Sequence, residues 1–176
     1  MDGTRSALVI PFELPEAIER IRQAEVDNAA LGVPAHVTIL VPFVSPSALD
    51  ERVLGTVAEV AASVPAFRVH FREVRRFEPG PAAPEGVLWL APEPAEPFLE
   101  LIRAFAEAFP GMQPYEGLHE EVVPHLTIAT ADAGRMDAAE SEARRWLPFQ
   151  QPALRLVLLV EGDDAIWRRE ADFALG

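Results

Sequence analysis

No cysteine occurs anywhere in the 176 residues. Disulfides, thiolate nucleophiles and cysteine-ligated zinc are excluded at once, and any catalytic nucleophile has to come from elsewhere. Lysine is absent as well, so all 15 basic residues are arginine, and against 28 acidic residues they leave a formal charge of −13. A surface so acidic on average repels long nucleic acid, whose binding rests on phosphate neutralisation. A small anion in a local arginine-rich cleft stays open. Apolar runs such as "VTILVPFV" and "LRLVLLV" fall far short of the roughly 20 residues that cross a bilayer. The opening "MDGTRSALVIPF" lacks the basic start and long apolar segment of a signal peptide. The expectation is a soluble, cytoplasmic, monomeric protein without a membrane partner. Neither GxxxxGK[ST] nor GxGxxG occurs, and "LHEEVVPH" has the wrong spacing for a zinc-binding HExxH. No metal and no cofactor is expected.

What the chain does have is a repeated order of elements. At 49% hydrophobic it suits one compact domain over 1–176 with a real core. "SALVIPFEL" reads as a strand, and "PEAIERIRQAEVDNA" as a helix with Ala17, Ile18, Ile21 and Ala24 on one stripe. "HVTILVPF" reads as a strand and "SPSALDERVLGTVAEVAASV" as a helix. "FRVHFREV" alternates strictly, Phe67, Val69 and Phe71 on one side and Arg68, His70 and Arg72 on the other. The Pro- and Gly-dense "FEPGPAAPEG" is a loop joining the halves, roughly 1–77 and 86–176, which are not independent. Then the series restarts with "VLWLAP", the helix "EPFLELIRAFAEAF", the strand "HLTIAT", the helix "RMDAAESEARRWL" and the strand "ALRLVLLVE". A last strand, "AIWRREADFAL", returns after "EGDD". Thr38 to Phe67 spans 29 residues and Thr127 to Leu154 spans 27. The fold class expected is α/β (α+β), a duplicated strand-helix-strand-helix-strand unit forming two pseudo-symmetric lobes around a central cleft.

The spelling His-Xaa-Thr falls in the same slot of both halves, as His36-Val37-Thr38 and His125-Leu126-Thr127. Residues two apart on a strand project from one face, so each strand offers an imidazole and a hydroxyl together, with Val37 or Leu126 pointing the other way. Such a set suits phosphoryl chemistry. One imidazole takes a proton from the attacking group, the other gives one to the leaving oxygen, and the hydroxyls hydrogen-bond the non-bridging oxygens as charge builds. Histidine exists in either protonation state near neutral pH. One such motif ordinarily reports packing or a buried hydrogen bond, and a duplicated fold could repeat a structural bond. Two intact copies in matching slots favour the chemistry.

The paired motifs resemble those of the two-histidine phosphoesterase superfamily, in its 2′-5′ RNA ligase-like branch that includes cyclic phosphodiesterases. The likeness covers almost the whole chain, from "ALVIPFELP" to "WRREADFALG". It implies a metal-independent hydrolase of phosphodiesters that opens 2′,3′-cyclic phosphates of RNA ends or small nucleotides, in some members joining RNA ends through a 2′-5′ bond. Carried over by position, His36 and His125 are the acid-base pair, in either order, and Thr38 and Thr127 the phosphate-binding hydroxyls. The expected partner is a small nucleotide or an RNA terminus. A non-catalytic protein holding a nucleotide or phosphometabolite on the same fold is the alternative.

Further residues invite weaker expectations. Phe43 and Tyr115 could stack on a base, and His70, between Arg68 and Arg72, could help hold an anion. His119 stands in the loop leading to the second motif. Trp89, Trp146 and Trp167 fall at apolar positions and are expected in the core.

Overall fold

A computed structural model describes residues 5–81, 83–112 and 122–176. The first half builds β1 (Ser6–Pro11), α1 (Glu16–Glu25), β2 (His36–Leu40), α2 (Glu51–Ala62) and β3 (Phe67–Phe77). The second builds β4 (Val87–Glu93), α3 (Glu96–Ala108), β5 (Leu126–Ala129), α4 (Ala133–Arg144), β6 (Phe149–Ala153), β7 (Arg155–Glu161) and β8 (Trp167–Ala174). Helix starts follow local chemistry. Asp50 accepts the Val53 N–H at 2.8 Å, and Asp132 accepts the amides of Gly134 and Arg135, satisfying donors that a first helical turn leaves unpaired. The Asp132 cap starts α4 two residues ahead of the "RMDAAESEARRWL" stretch.

The eight strands form two antiparallel sheets in the orders β2-β1-β7-β8 and β5-β4-β3-β6. Strands are exchanged between the halves: β3 joins the sheet of β4 and β5, and β7 and β8 join the sheet of β1 and β2. The helices cross over too, since α1 packs on β5 and α3 on β2. The expected duplicated α/β unit is present, and each sheet draws strands from both halves of the chain.

One face of each sheet is turned to a shared core. Leu8 and Ile10 of β1, Val37 and Ile39 of β2, Leu88 and Leu90 of β4 and Leu126 and Ile128 of β5 meet helix residues including Ile18, Val57, Phe98 and Phe105 there. Burying each of these large side chains is worth roughly 1.5–3 kcal/mol. Phe71 sits at 5.2 Å edge-to-face with Phe12 and at 5.0 Å stacked on Phe149. The opposite faces carry the cleft and, on the first sheet, a second apolar cluster.

Some expectations need correction. β6 arises in "FQQPA", too short, polar and proline-bearing to read as a strand, because β3 offers it an edge. Strand β3 runs on to Phe77, and its register shifts between Phe71 and Val74. That bulge reverses the alternation, so Val74 points to the core and Phe77 to the cleft side. Trp146 is no core residue. It is 49% exposed just past α4, its Nε1–H donating to Glu142 at 3.0 Å.

A second, smaller cluster covers the outer face of the first sheet, where Ala7, Val9, Val33, Leu159 and Trp167 pack under the loop before β2. Gly32 makes this docking possible. Its φ is +92°, and a Cβ there would stand 2.6 Å from the Trp167 carbonyl oxygen, while the Trp167 N–H donates to Leu31 at 2.7 Å. Gly32→Ala is expected to cost about 2 kcal/mol or more, lowering Tm by roughly 4 °C or beyond. A thermal melt within one degree of the parent would show that the loop is not held this way.

Candidate active site

Strands β2 and β5 lie against one another where the two sheets meet, and between them opens a cleft of about 610 Å³. His36, Thr38, His125 and Thr127 all line it, joined by Arg22, Asn28, Glu85 and Thr130. Strand alternation places them. Val37 and Ile39, and Leu126 and Ile128, are pinned in the core, so the half-buried residues between them must face the cleft.

Each imidazole is oriented by a backbone carbonyl two residues upstream. His36 Nδ1–H donates to Pro34 O at 2.7 Å and His125 Nδ1–H to Val123 O at 2.7 Å. The shared geometry fixes the same tautomer in both neutral rings and makes Nε2 the proton-accepting atom. His36 Nε2 lies 3.1 Å from Thr38 Oγ1, so the first motif is internally hydrogen-bonded.

The surroundings of the two rings differ. Near His36 stands Arg22, only 4% exposed, whose Nη1–H donates to Val33 O at 3.0 Å. Its Nε and Nη2 take both oxygens of Glu19, at 2.9 and 2.6 Å. The guanidinium thereby ties α1 to the segment leading into β2. His125 sits instead among rings: Phe77 meets it at 5.0 Å and 88°, Trp89 at 5.9 Å and 67°, and these two stack on each other at 4.7 Å.

Burial pushes the His36 imidazolium from the ordinary 6.5 down to about 4. The hydrogen bond to the Pro34 carbonyl opposes the shift, and the charges of Arg22 and His125 add to it.

The cleft continues on two sides. Past His36, Thr38 and Asn28 opens an apolar side pocket of about 120 Å³ floored by Val9, Leu159 and Trp167. Past Glu85 and Thr130 lies a polar pocket of about 310 Å³ holding Glu25, Asp27 and Arg135. Among the described residues no group of three or more histidines, cysteines or carboxylates is gathered in a way that could hold a metal ion, and no helix is long and apolar enough to cross a membrane.

Other expected residues fall elsewhere. Phe43 is 4% exposed in the core, edge-to-face with Phe109 at 5.0 Å, and does not line the cleft. His70 shares a sheet face with Trp89, but its register partner Glu93 lies four residues along β4, about 13 Å away at strand rise. Tyr115 and His119 lie outside the described residues. Arg22, Asn28, Glu85 and Thr130 are residues that sequence reasoning misses. Arg22 leaves one trace there, four residues after the buried Ile18 on the packed side of α1.

A family model described as the 2′-5′ RNA ligase superfamily matches residues 10–165. The chain belongs to this superfamily. Solved structures agree in fold. TT0787 of Thermus thermophilus is 20% identical over 97% of both chains with a TM-score of 0.60. Escherichia coli LigT in apo form is 16% identical over 99% of both, TM-score 0.55. Kluyveromyces marxianus Usb1 is 16% identical over 89% of this chain and 93% of its own, TM-score 0.52. LigT has also been crystallised with 3′-AMP and with phosphate. No curated protein sequence matches the chain.

The depressed His36 value ties stability to acid. Between about 4 and 6.5 the unfolded chain binds a proton that the native one refuses, so stability is full above 6.5 and drains as pH falls through the folded value. Relative to His36→Gln, the parent is expected to lose about 2 kcal/mol more between pH 7 and pH 5 in urea unfolding. Parallel losses would mean that His36 titrates normally.

Proposed function

We propose that the protein is a metal-independent phosphodiesterase that opens 2′,3′-cyclic phosphates, with His36 and His125 exchanging protons and Thr38 and Thr127 holding the phosphoryl oxygens. The observation that carries this is the meeting of both motifs on one cleft, each imidazole held by the same Nδ1–H bond to a carbonyl. A binding site needs donors. Two imidazoles held through Nδ1–H on one cleft supply in addition a proton acceptor where Nε2 is bare and a proton donor where Nε2 is protonated. Superfamily membership supports phosphoester chemistry, and the LigT complex with 3′-AMP supports a nucleotide-sized ligand.

The unequal surroundings divide the roles. His36, neutral well below neutral pH, is the base that takes the proton of water through Nε2. That leaves His125 as the acid that protonates the departing ribose oxygen through Nε2. As water adds to phosphorus and the ribose ester bond breaks, negative charge grows on the non-bridging oxygens. The Thr38 and Thr127 hydroxyls and the imidazolium then bond more strongly than in the ground state, which is what lowers the barrier. One proton leaves water for His36 and another leaves His125 for the ribose oxygen, so the pair ends one turnover with its protonation exchanged and resets through solvent.

Turnover of a panel of 2′,3′-cyclic nucleotides with chelator present tests this. His36→Ala and His125→Ala are each expected to lose about 10²- to 10⁴-fold in kcat while remaining folded, and Thr38→Val or Thr127→Val about 10²-fold. Folded variants that match the parent would remove the imidazoles from the mechanism. Undiminished nucleotide binding with no turnover by the parent would favour a binding protein.

The pH profile separates the roles. In kcat/KM, which reports the free enzyme, the acid limb is expected at about 4. In kcat the limb moves up, because a bound phosphate beside His36 favours its imidazolium. An acid limb at an ordinary imidazole value in both parameters would assign the base elsewhere.

A further inference from the structure

Resting on the phosphodiesterase reading above, we infer that the cleft accepts a substrate with one phosphoryl group and rejects a second. The substrate class is a mononucleoside cyclic phosphate, or a cyclic phosphodiester of similar compactness, and not the phosphate-bearing end of an RNA chain.

The cation inventory is the first ground. Among the described residues, ion pairs take in every one of the 15 arginines except Arg52 and Arg68. Those two lie on α2 and β3 and do not line the cleft. Arg22 is the one arginine lining it among the described residues, and three of its five N–H groups already donate to Glu19 and the Val33 carbonyl. One phosphate is served by imidazoles and hydroxyls. Among the described residues no arginine outside an ion pair lines the cleft for a second.

The two continuations of the cleft are the second ground. Toward Thr130 the wall carries Glu25, Asp27 and Glu85, and Arg135 there is already shared between Glu25 and Asp132. A phosphate one nucleotide further along would meet carboxylates of its own sign. Toward the apolar side pocket the walls are Val9, Val33, Val41, Leu159 and Trp167, with the Asn28 amide at the rim. A phosphate placed there would lose its water with no ion to replace it. Both flanks admit a neutral sugar, ring or alkyl group, and both disfavour an anion.

Salt dependence gives the inference a sign that can be measured. A cleft that grips RNA through cations loses affinity as salt rises. A cleft that repels a second phosphate gains, because the Debye length shrinks from about 10 Å at 0.1 M to about 3 Å at 1 M.

The experiment compares kcat/KM for cytidine 2′,3′-cyclic phosphate and for a cytidine trinucleotide ending in the same cyclic phosphate, at low and high salt. It uses the parent and the Asp27→Asn, Glu85→Gln double variant. The mononucleotide is expected to lead by about tenfold or more at low salt. Raising the salt, or making the double variant, should narrow that ratio by bringing up the trinucleotide. A trinucleotide used as well as the mononucleotide at low salt, or one that slows as salt rises, overturns the inference. So does a ratio indifferent to both salt and the variant. Turnover of neither substrate by folded parent protein sinks the phosphodiesterase reading itself, a result distinct from turnover of both without discrimination.

Discussion

Everything in the site hangs on the period of two in β2 and β5. Val37 and Ile39, with Leu126 and Ile128, are buried in the common core, and their burial dictates which way the residues between them point. A slip of one residue in either strand would carry the histidine and threonine into the core and lift two apolar side chains into water. The loss of buried apolar surface makes that slip costly, so the hydrophobic core sets the register of both motifs. The crossing of β3 and β7 adds a second constraint. Each sheet contains strands from both halves, so neither sheet is complete unless both halves fold, and the placement of one motif depends on the other.

Within this near-symmetry the chemistry is made unequal by what packs behind each ring. Beside His36 a buried guanidinium, held by Glu19 and the Val33 carbonyl, contributes a fixed positive charge. Beside His125 stand Phe77 and Trp89. Phe77 reaches that position only because the bulge in β3 reverses its alternation. Two copies of His-Xaa-Thr are thereby given unlike surroundings, by burial and one arginine on one side and one extra residue in a strand on the other.

Much of this is legible in the sequence, and what is not has a physical reason. The helices and most strands follow from period and capping, and the repeated His-Xaa-Thr locates the cleft, because both are local patterns. The exchange of β3 and β7 is not legible, since alternation identifies a strand and its buried face without naming its partner. Strand β6 is hidden because "FQQPA" owes its extension to the edge of β3. Arg22 reads as one of many charges on an amphipathic helix, where a charge ordinarily lies in water. Phe43 follows a proline after a motif strand and could face either way, and Phe109 draws it into the core.

The charge of the whole protein then has to be reconciled with an anionic ligand. A formal −13 would oppose phosphate binding if the site relied on long-range attraction, but surface charges are screened beyond about 8 Å at physiological ionic strength. In the proposed reaction what acts on the phosphoryl group is short-range: two hydroxyls and the protonated Nε2 of the acid imidazole, partly shielded from water, which need no net positive surface to bind. The hydroxyls, as neutral donors, confer a further property. Their bonds strengthen as charge accumulates in the transition state, whereas a strong cation would already hold the ground-state anion tightly and reserve less for the barrier. Pairing almost every arginine away from the cleft is consistent with this: the ion pairs knit the surface, and in the proposed reaction the phosphoryl group would be left to groups whose hold on it grows toward the transition state.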